Sequence, residues 1–341
     1  MEDALWWSAA EARRATADPS WREALLGVPA LVIDLRDEDR AGEPPGLPSP
    51  PLQSASCPVI ALLPAGTDEA SWAADVSLVD GSADAALFGA GPDEAAALLA
   101  DRAAASPTAA ATLARVLRIT PTLDVIATLE VESLAYSMLL AGPEFRHWLA
   151  QRPEPRSGAE QTDVVLVERR GGVLHVTLNR PRVHNAFNAA MRDALVEALN
   201  VAQLDWSVGT VEVTGNGPSF CSGGDLGEFG TADDPVRAHL VRTTRSVAAS
   251  MHRLSDRLTV RVHGACVGAG VELPSFARRV LASEDATFRL PEVAMGLIPG
   301  AGGTVGLPAR IGPARTLLLA LSGLTLSAAD ALRWGLVDSI G

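Results

Sequence analysis

The strongest constraint on the fold lies in residues 163–341, where short apolar strands alternate with helices in repeated strand-strand-helix units. Val164–Glu168 and Val173–Leu178 predict a hairpin around Gly171-Gly172. Further along, the spacing of apolar residues predicts the strands Thr210–Val213, Thr259–Val262, Val280–Leu281 and Thr287–Arg289, and helices near 188–202, 235–257 and from about 303, 313 and 327. This order is typical of an α/β fold whose functional residues lie on the loops beyond the strand ends.

The first 105 residues predict a separate, small α/β region. Ala30–Leu35, Val59–Leu63 and Val76–Val79 are apolar runs of strand length, and Glu94–Ala105 is an alanine-rich helix. The proline-rich stretch Gly42–Pro51 is predicted to be a loop. This region carries no motif that identifies a chemistry, and its role stays open.

Residues 106–160 are predicted to be wholly helical. Pro107 suits the first position of a helix, Leu123–Leu140 has apolar residues at helical spacing, and Pro143–Gln151 adds a shorter helix. Pro153–Gly158 is predicted to be a linker. The predicted organisation is therefore an N-terminal α/β region over residues 1–105, a helical segment over 106–160 and a core over 161–341.

Charge and composition restrict the class of partner. With 28 basic against 41 acidic residues, the formal net charge of −13 argues against a nucleic-acid partner. Three cysteines leave one unpaired under any disulfide scheme, and the acidic start Met1–Asp3 is unlike a secretory signal. No uninterrupted apolar run approaches the ~20 residues of a membrane helix, and no His, Cys and Asp spacing fits a metal site. We therefore expect a soluble, cytoplasmic protein without a resident metal or a membrane partner.

Two loops of small residues follow predicted strands and carry the first chemical signal. They are Ser219–Asp225 (SFCSGGD) and Gly264–Glu272 (GACVGAGVE), and the second opens a predicted helix. Small side chains let a ligand approach the main chain closely, and the first N–H groups of a helix lack intrahelical acceptors. The two loops together could donate two N–H groups to one thioester oxygen, as enolate-forming chemistry requires. Tight packing of strands on helices is the alternative interpretation of either loop alone.

Two glutamates strengthen the catalytic interpretation. Glu272 lies in the first turn of the helix that the second loop opens, and Glu292 follows a predicted strand and Pro291. An acidic residue at a helix start often only compensates the helix dipole. Two carboxylates beside a pair of N–H donors, however, can act as a general acid and a general base.

Four motifs in a fixed order then connect the sequence to a known family. They are Asn179-Arg180-Pro181 with Asn185-Ala186-Phe187, Phe220–Leu226 (FCSGGDL), Gly268–Leu273 (GAGVEL), and Pro291-Glu292 with Gly296–Thr304 (GLIPGAGGT). In order and spacing they resemble the crotonase (enoyl-CoA hydratase/isomerase) family over roughly residues 163–341. The resemblance implies a crotonase-like spiral of strand-strand-helix repeats, to which the N-terminal α/β region and the helical segment are an extension.

The resemblance also implies roles for individual residues. The N–H groups of Gly224 and Ala269 would form the oxyanion hole, although most relatives have glycine in place of Ala269. Glu272 would help activate a water for attack at Cβ, and Glu292 would deliver a proton to Cα. The neighbouring residues that would contact the substrate are Ser222, Gly223, Gly268, Pro299 and Gly300.

A departure from the family concerns the covering helices. Family members continue with several helices after the position of Asp338, whereas this sequence ends at Gly341. Leu129–Arg156 is weakly similar to that covering segment. Two interpretations are open. One is a circular permutation, with the covering helices placed before the core, and the other is a truncated core behind an unrelated N-terminal module.

The function implied by the resemblance is hydration of a 2-enoyl-CoA to a 3-hydroxyacyl-CoA. Coenzyme A is part of the substrate, so no separate cofactor is expected, and relatives suggest a homo-oligomer, either a trimer or a hexamer. Double-bond isomerisation and other crotonase reactions are alternatives within the family. A non-catalytic acyl-CoA-binding subunit is an alternative of a different class, against which the two glutamates count.

Overall fold

The computed structural model describes residues 3–18, 20–36, 52–67, 74–89, 91–152, 162–232 and 234–341. The chain divides into two compact units. The first unit contains residues 1–119 and 313–322, and the second contains residues 120–312 and 323–341. The boundary at residue 119 falls inside the segment 106–160 that the sequence predicted to be one helical block. The predicted loop Gly42–Pro51 and linker Pro153–Gly158 lie outside the described residues.

In its described residues the first unit has a sheet of four parallel strands. In spatial order they are β1 (Leu5–Ser8), β2 (Leu31–Asp34), β3 (Val59–Leu63) and β4 (Val76–Val79). The helices are α1 (Ala9–Ala17), α2 (Ala83–Ala86), α3 (Pro92–Ala105) and α4 (Pro107–Ile119). Every residue of β3 is buried, as expected for an inner strand of a parallel sheet covered on both faces. The predictions of β3 and β4 are therefore confirmed.

A buried ion pair links strand and helix in the first unit. The Arg118 guanidinium, at the end of α4, donates to both carboxylate oxygens of Asp75 and to the carbonyl oxygens of Ala55, at 2.6 Å, and Cys57, at 2.9 Å. Asp75 also accepts from the Val59 N–H at 2.7 Å. Both charged side chains are largely buried, with 11% of the Arg118 side chain and 9% of the Asp75 side chain exposed, and their hydrogen-bonding capacity is used.

The second unit contains two sheets in its described residues. The larger has the order β13-β10-β8-β7-β6-β5 and is parallel except for the β5–β6 hairpin. The smaller has the order β12-β11-β9. The strands are β5 (Val165–Arg170), β6 (Val173–Leu178), β7 (Thr210–Gly215), β8 (Leu258–Val262), β9 (Ala265–Val267), β10 (Arg279–Ala282), β11 (Thr287–Arg289), β12 (Leu326–Ser327) and β13 (Ser339–Ile340).

The helices of the second unit agree with the predicted positions, with one exception. They are α5 (Val125–Leu140), α6 (Pro143–Gln151), α7 (Ala189–Leu204), α8 (Pro235–Thr244), α9 (Val247–Arg253), α10 (Ala269–Glu272), α11 (Gly303–Ser322) and α12 (Ala328–Trp334). The non-helical Gly312 interrupts α11 between the two predicted helix starts, and the residues of α11 from Pro313 belong to the first unit. The predicted long helix at 235–257 is wrong. It breaks after Thr244 because Arg245 leaves the helical conformation and the Ser246 hydroxyl caps a new helix by accepting from the Ala249 N–H at 3.1 Å.

Replacing Asp75 with alanine is expected to lower the free energy of unfolding of the first unit by about 3–5 kcal/mol, because it leaves the Arg118 guanidinium buried without its partner. Chemical denaturation followed by circular dichroism measures this loss. Glu168→Ala is the control, since it removes an exposed pair with Arg170 and should leave the midpoint unchanged. A loss for Asp75→Ala below ~1 kcal/mol, as for a surface pair, would contradict a structural role.

Candidate active site

The strand register of the smaller sheet brings the two predicted carboxylates together. β9 and β11 are parallel, and Val267 pairs with Arg289 at their ends. The Gly268 N–H continues the ladder by donating to the Arg289 carbonyl at 3.0 Å. Glu272 follows β9 by one turn of α10, and Glu292 follows β11 by a few residues. Parallel strands end at the same edge of a sheet, so both side chains are delivered to one place.

The first small-residue loop is held by a buried asparagine. Asn185 has a φ of 54°, a left-handed conformation that asparagine tolerates better than most residues. Its side-chain amide donates to the Asn216 and Ser219 carbonyls, each at 2.9 Å, and its oxygen accepts from the Arg180 N–H at 2.7 Å. The Arg180 guanidinium in turn pairs with Asp225 at 2.9 Å. The motif residues around Asn185 therefore fix the loop that carries Gly224.

The two small-residue loops lie directly against each other. The backbones of Cys221 and Cys266 pair as an isolated parallel β-bridge, and the two cysteines are not joined by a disulfide. The Gly223 Cα lies 3.7 Å from the position that a Cβ on Gly268 would occupy. The N–H groups of Gly224 and Ala269, the predicted oxyanion donors, have no protein acceptor among the residues that the structure describes. These two N–H donors lie on loops in contact with each other and are available to a ligand. Their role as an oxyanion hole stays a prediction.

Glu272 is buried and oriented by the backbone. One of its carboxylate oxygens, Oε2, accepts from the Ala301 N–H at 2.7 Å and from the Gly303 N–H at 2.9 Å. Burial, Glu292 and Glu132 together raise the pKa of Glu272 well above its usual value, and the two N–H donors oppose that rise. A carboxylate fixed by two backbone donors can hold a small molecule such as water in a defined direction.

Glu292 is also buried, although 9% of it is exposed against 2% of Glu272. Among the described residues its Oε2 has no hydrogen-bond partner. Its other oxygen, Oε1, lies so close to Gly268 that a Cβ on residue 268 would overlap it. Burial raises the pKa of Glu292 to about 8, with Glu132 adding to the rise and Arg289 opposing it. This rise favours the protonated form of Glu292, which can act as an acid.

The predicted substrate-binding residues lie around these carboxylates in two groups. Gly223, with a φ of 93°, packs on the Val267 carbonyl, and Ser222 turns away, its N–H donating to the His184 carbonyl at 2.9 Å. Pro299 and Gly300 precede the turn that binds Glu272, and Pro299 packs against Gly303. None of these contacts tests a binding role, which stays a prediction.

Three residues near the site were not predicted from the sequence. Glu132 on α5 is buried and accepts from the Gly302 N–H, the Thr304 N–H and the Thr304 hydroxyl, each at 2.8 Å. Tyr136, one turn further along α5, packs its ring on Gly300, and the Phe229 ring lies 2.7 Å from where a Gly224 Cβ would be. An acidic residue within the apolar pattern of α5 was the available signal for Glu132.

The cysteines beside the site are free and buried. Burial raises the pKa of the Cys221 thiol to about 12, so it is not a thiolate at neutral pH.

Among the described residues no group of three or more His, Cys, Asp or Glu is arranged to hold a metal ion. Within the same residues no single helix is long and apolar enough to cross a membrane, and one pair bent by 63°, α5 with α6, meets the length and composition criteria together.

Comparison with known proteins identifies the family of this chain. The family described as "Enoyl-CoA hydratase/isomerase" matches residues 168–341, about half of the chain. The 2,3-dehydroadipyl-CoA hydratase of Escherichia coli (strain K12) is 37% identical over 176 residues, which cover 52% of this chain and 68% of that protein. Two solved structures of enoyl-CoA hydratases, from Mycobacterium smegmatis and Thermoplasma volcanium GSS1, are 32% and 31% identical with TM-scores of 0.48 and 0.47, covering 52% and 53% of this chain and 69% and 73% of theirs.

These matches define an enzyme class that processes acyl-CoA thioesters. The chain belongs to the enoyl-CoA hydratase/isomerase family. The predicted crotonase-like α/β fold and the predicted family are thereby confirmed.

The stability of the enzyme is expected to fall as the pH rises from about 4.5 towards 8. Glu292 has a pKa of about 8 in the folded protein and about 4.5 in the unfolded chain, so the folded protein binds the proton more tightly. The stability that this proton contributes is present below about pH 4.5 and is lost as the pH rises through the pKa of the folded protein. Glu292→Gln cannot ionise. It should therefore raise the melting temperature by roughly 4 °C or more at about pH 9 and change it little at about pH 5.

Scanning fluorimetry across this pH range measures the effect. Glu197→Gln, which removes one exposed carboxylate from α7, is the matched control and should follow the wild-type curve. If the melting temperatures of wild type and Glu292→Gln changed with pH in parallel, Glu292 would not be buried as a neutral acid.

Proposed function

We propose that this enzyme hydrates a 2-enoyl-CoA to a 3-hydroxyacyl-CoA. The observation that carries the proposal is the pair Glu272 and Glu292, two buried carboxyl groups at the adjacent ends of β9 and β11. The loops that touch there also carry the N–H groups of Gly224 and Ala269, which have no acceptor among the described residues. The name of the Escherichia coli relative, a hydratase of 2,3-dehydroadipyl-CoA, supports the same reaction class.

In this proposal the thioester oxygen accepts hydrogen bonds from Gly224 and Ala269. As water adds to Cβ, electrons move to that oxygen and an enolate develops. Preorganised N–H donors stabilise it by about 3–4 kcal/mol each, because they pay no reorganisation cost at the moment of reaction. The close contact of the loops at Gly223 and Gly268 supports placing both donors on one oxygen.

The acid and base roles follow from the different surroundings of the two carboxyl groups. Glu272, whose Oε2 is oriented by two backbone donors that oppose the rise of its pKa, accepts a proton from the attacking water while the water oxygen bonds to Cβ. Glu292, whose pKa is raised by burial, transfers its proton to Cα as the enolate collapses. Glu272 then holds a proton and Glu292 is ionised, and transfer of that proton to Glu292 restores both groups. Atoms and charge balance without an oxidant or reductant, so the proposal requires no cofactor beyond the coenzyme A of the substrate.

We further propose that α5 and α6 cover the acyl-CoA site, in the role that covering helices have in the family. Tyr136 of α5 packs on Gly300, and Phe145 of α6 packs on Gly296. The Arg152 guanidinium after α6 donates to the Leu226 carbonyl, directly after the first small-residue loop. The two helices of the predicted segment 106–160 that lie in the second unit, α5 and α6, would then complete the predicted core within that unit. In the family such covering helices also support trimers, and we propose a homo-oligomer here.

Hydration of crotonyl-CoA and of longer 2-enoyl-CoAs is expected in the wild-type enzyme. Glu272→Gln and Glu292→Gln should each reduce kcat by about 10²–10⁴-fold, because each removes one proton-transfer group. Loss of the enoyl thioester absorbance measures the rate, and Glu197→Gln is the control on an exposed face.

The alternatives predict different outcomes in the same assay. Double-bond movement in a 3-enoyl-CoA that depends on Glu292 and not on Glu272 would replace hydration with isomerisation. A wild-type protein that binds acyl-CoA and turns over none of these thioesters would support the non-catalytic binding subunit.

The covering role of α5 is tested at Gly300. A Cβ there would overlap the Tyr136 ring, so Gly300→Ala is expected to displace α5, cost about 1–3 kcal/mol of stability and raise KM for the enoyl-CoA. Thermal unfolding and steady-state kinetics measure both effects. Gly209→Ala is the control, because its Cβ would meet only the Gly172 carbonyl at 3.9 Å; equal behaviour of the two variants would contradict the covering role.

A further inference from the structure

Four consecutive N–H groups, from Ala301 to Thr304, bind two carboxylates in alternation. Ala301 and Gly303 donate to Glu272 at 2.7 and 2.9 Å, whereas Gly302 and Thr304 donate to Glu132 at 2.8 Å each. The Thr304 hydroxyl gives Glu132 a third hydrogen bond at 2.8 Å. One short turn is therefore held between an acid of the proposed active site and an acid of α5.

The turn can donate in this way because it begins α11. The first N–H groups of a helix have no intrahelical acceptors, and an anion at this end is favoured by the helix dipole. Gly302 has a φ of 101°, and a Cβ there would lie 2.6 Å from the Phe276 ring. The backbone conformation is thus fixed from one side by packing and from the other by Glu132.

The helix that carries Glu132 is itself anchored within the second unit. Arg242 of α8 places its guanidinium over the Tyr136 ring at 4.6 Å and donates to the Ser137 hydroxyl at 2.6 Å and to the Ser133 hydroxyl at 3.0 Å. Glu132 and Tyr136 face the turn, and Ser133 and Ser137 bind Arg242. Glu132 therefore has little freedom to move away from Gly302 and Thr304.

We propose that Glu132 is a positioning residue for the acid–base pair, acting on Glu272 through the turn 301–304. By binding Gly302 and Thr304 it holds the N–H groups of Ala301 and Gly303 in the direction that orients the Glu272 carboxylate. The inference deepens the proposed hydration and rests on it. It gives α5 a role in catalysis in addition to covering the site.

Glu132 also contributes charge to the site. It faces Glu272 and Glu292, with Tyr136 and Arg242 as its other titratable or charged neighbours, and Arg289 lies near Glu292. The presence of Glu132 raises the pKa of both Glu272 and Glu292. A neutral residue at position 132 should therefore move both titrations to lower pH, an effect that a purely structural residue would not produce.

Glu132→Gln tests the proposal, because it keeps the size of the side chain but puts an amide N–H₂ against one of the backbone donors. We expect kcat for hydration to fall about 10- to 100-fold, the range typical for groups that orient a reacting group, with KM changed less than about twofold. The limbs of the kcat/KM pH profile should move to lower pH. Thr304→Val, which removes one hydrogen bond and keeps the fold, should show a smaller fall in kcat.

Glu130→Gln is the matched control, since it removes the same charge from the exposed side of α5, where Glu130 pairs with His239 at 3.0 Å. Wild-type kcat and an unmoved pH profile in a folded Glu132→Gln enzyme would overturn the proposal. If Glu132→Gln fails to fold, an unchanged kcat in Thr304→Val would overturn the proposal instead.

A second measurement separates this proposal from the proposed hydration. In protein with ¹³C-labelled glutamate carboxyl groups, the pH titrations of Glu272 and Glu292 can be followed by NMR without substrate. A shift to lower pH in Glu132→Gln supports the positioning role even if wild-type enzyme hydrates none of the thioesters. Unshifted titrations overturn it even if hydration is found.

Discussion

The parallel pairing of β9 with β11 is the interaction on which the proposed active site depends. Val267 is paired with Arg289, and each strand is followed within a few residues by its glutamate. A slip of one residue in this register would turn the side chains of one strand to the opposite face and separate the carboxyl groups. The backbone ladder, which ends with the Gly268 N–H on the Arg289 carbonyl, therefore sets the geometry of the acid–base pair.

Burial of three carboxyl groups in one region opposes folding, because a charge or an unpaired polar atom in the interior costs free energy. The structure offsets this cost at Glu272 and Glu132 with backbone N–H donors from the start of α11. At Glu292, Oε2 has no hydrogen-bond donor among the described residues, so this cost is not offset there. A group left unsatisfied beside two oriented ones is typical of a site where stability is given up for reactivity.

Much of this arrangement could be predicted from local sequence. β3, β4 and β6 have the predicted bounds because each is a short, largely apolar run between turn residues. β11 also has the predicted bounds, with one buried aromatic residue between two exposed polar ones. β1 was missed since two exposed or half-buried tryptophan positions and a helix-capping serine hide the strand pattern. The small-residue loops and both glutamates stood out because composition and spacing there are unusual, and the structure places them in contact.

The contribution of α5 could not be predicted in the same way. Glu132 lies in a helix whose other inward residues follow an ordinary core pattern, and its partners, Gly302 and Thr304, are 170 and 172 residues away in sequence. Only the tertiary fold shows that an acid on this face meets free N–H groups. The same holds for Tyr136, whose partner Gly300 is a residue without a side chain.

The order of segments along the chain has little bearing on whether such a site can form. The contacts of α5 with the turn 301–304 have the same energy whether the helix precedes or follows the core. What changes is the loop that must be closed, and each doubling of loop length costs only about 0.6 kcal/mol. Three hydrogen bonds to a buried carboxylate, at roughly 1.5–3 kcal/mol each for a charged acceptor, exceed that cost. A covering helix placed before the core is therefore energetically acceptable, provided that its inward face carries the residues that the turn requires.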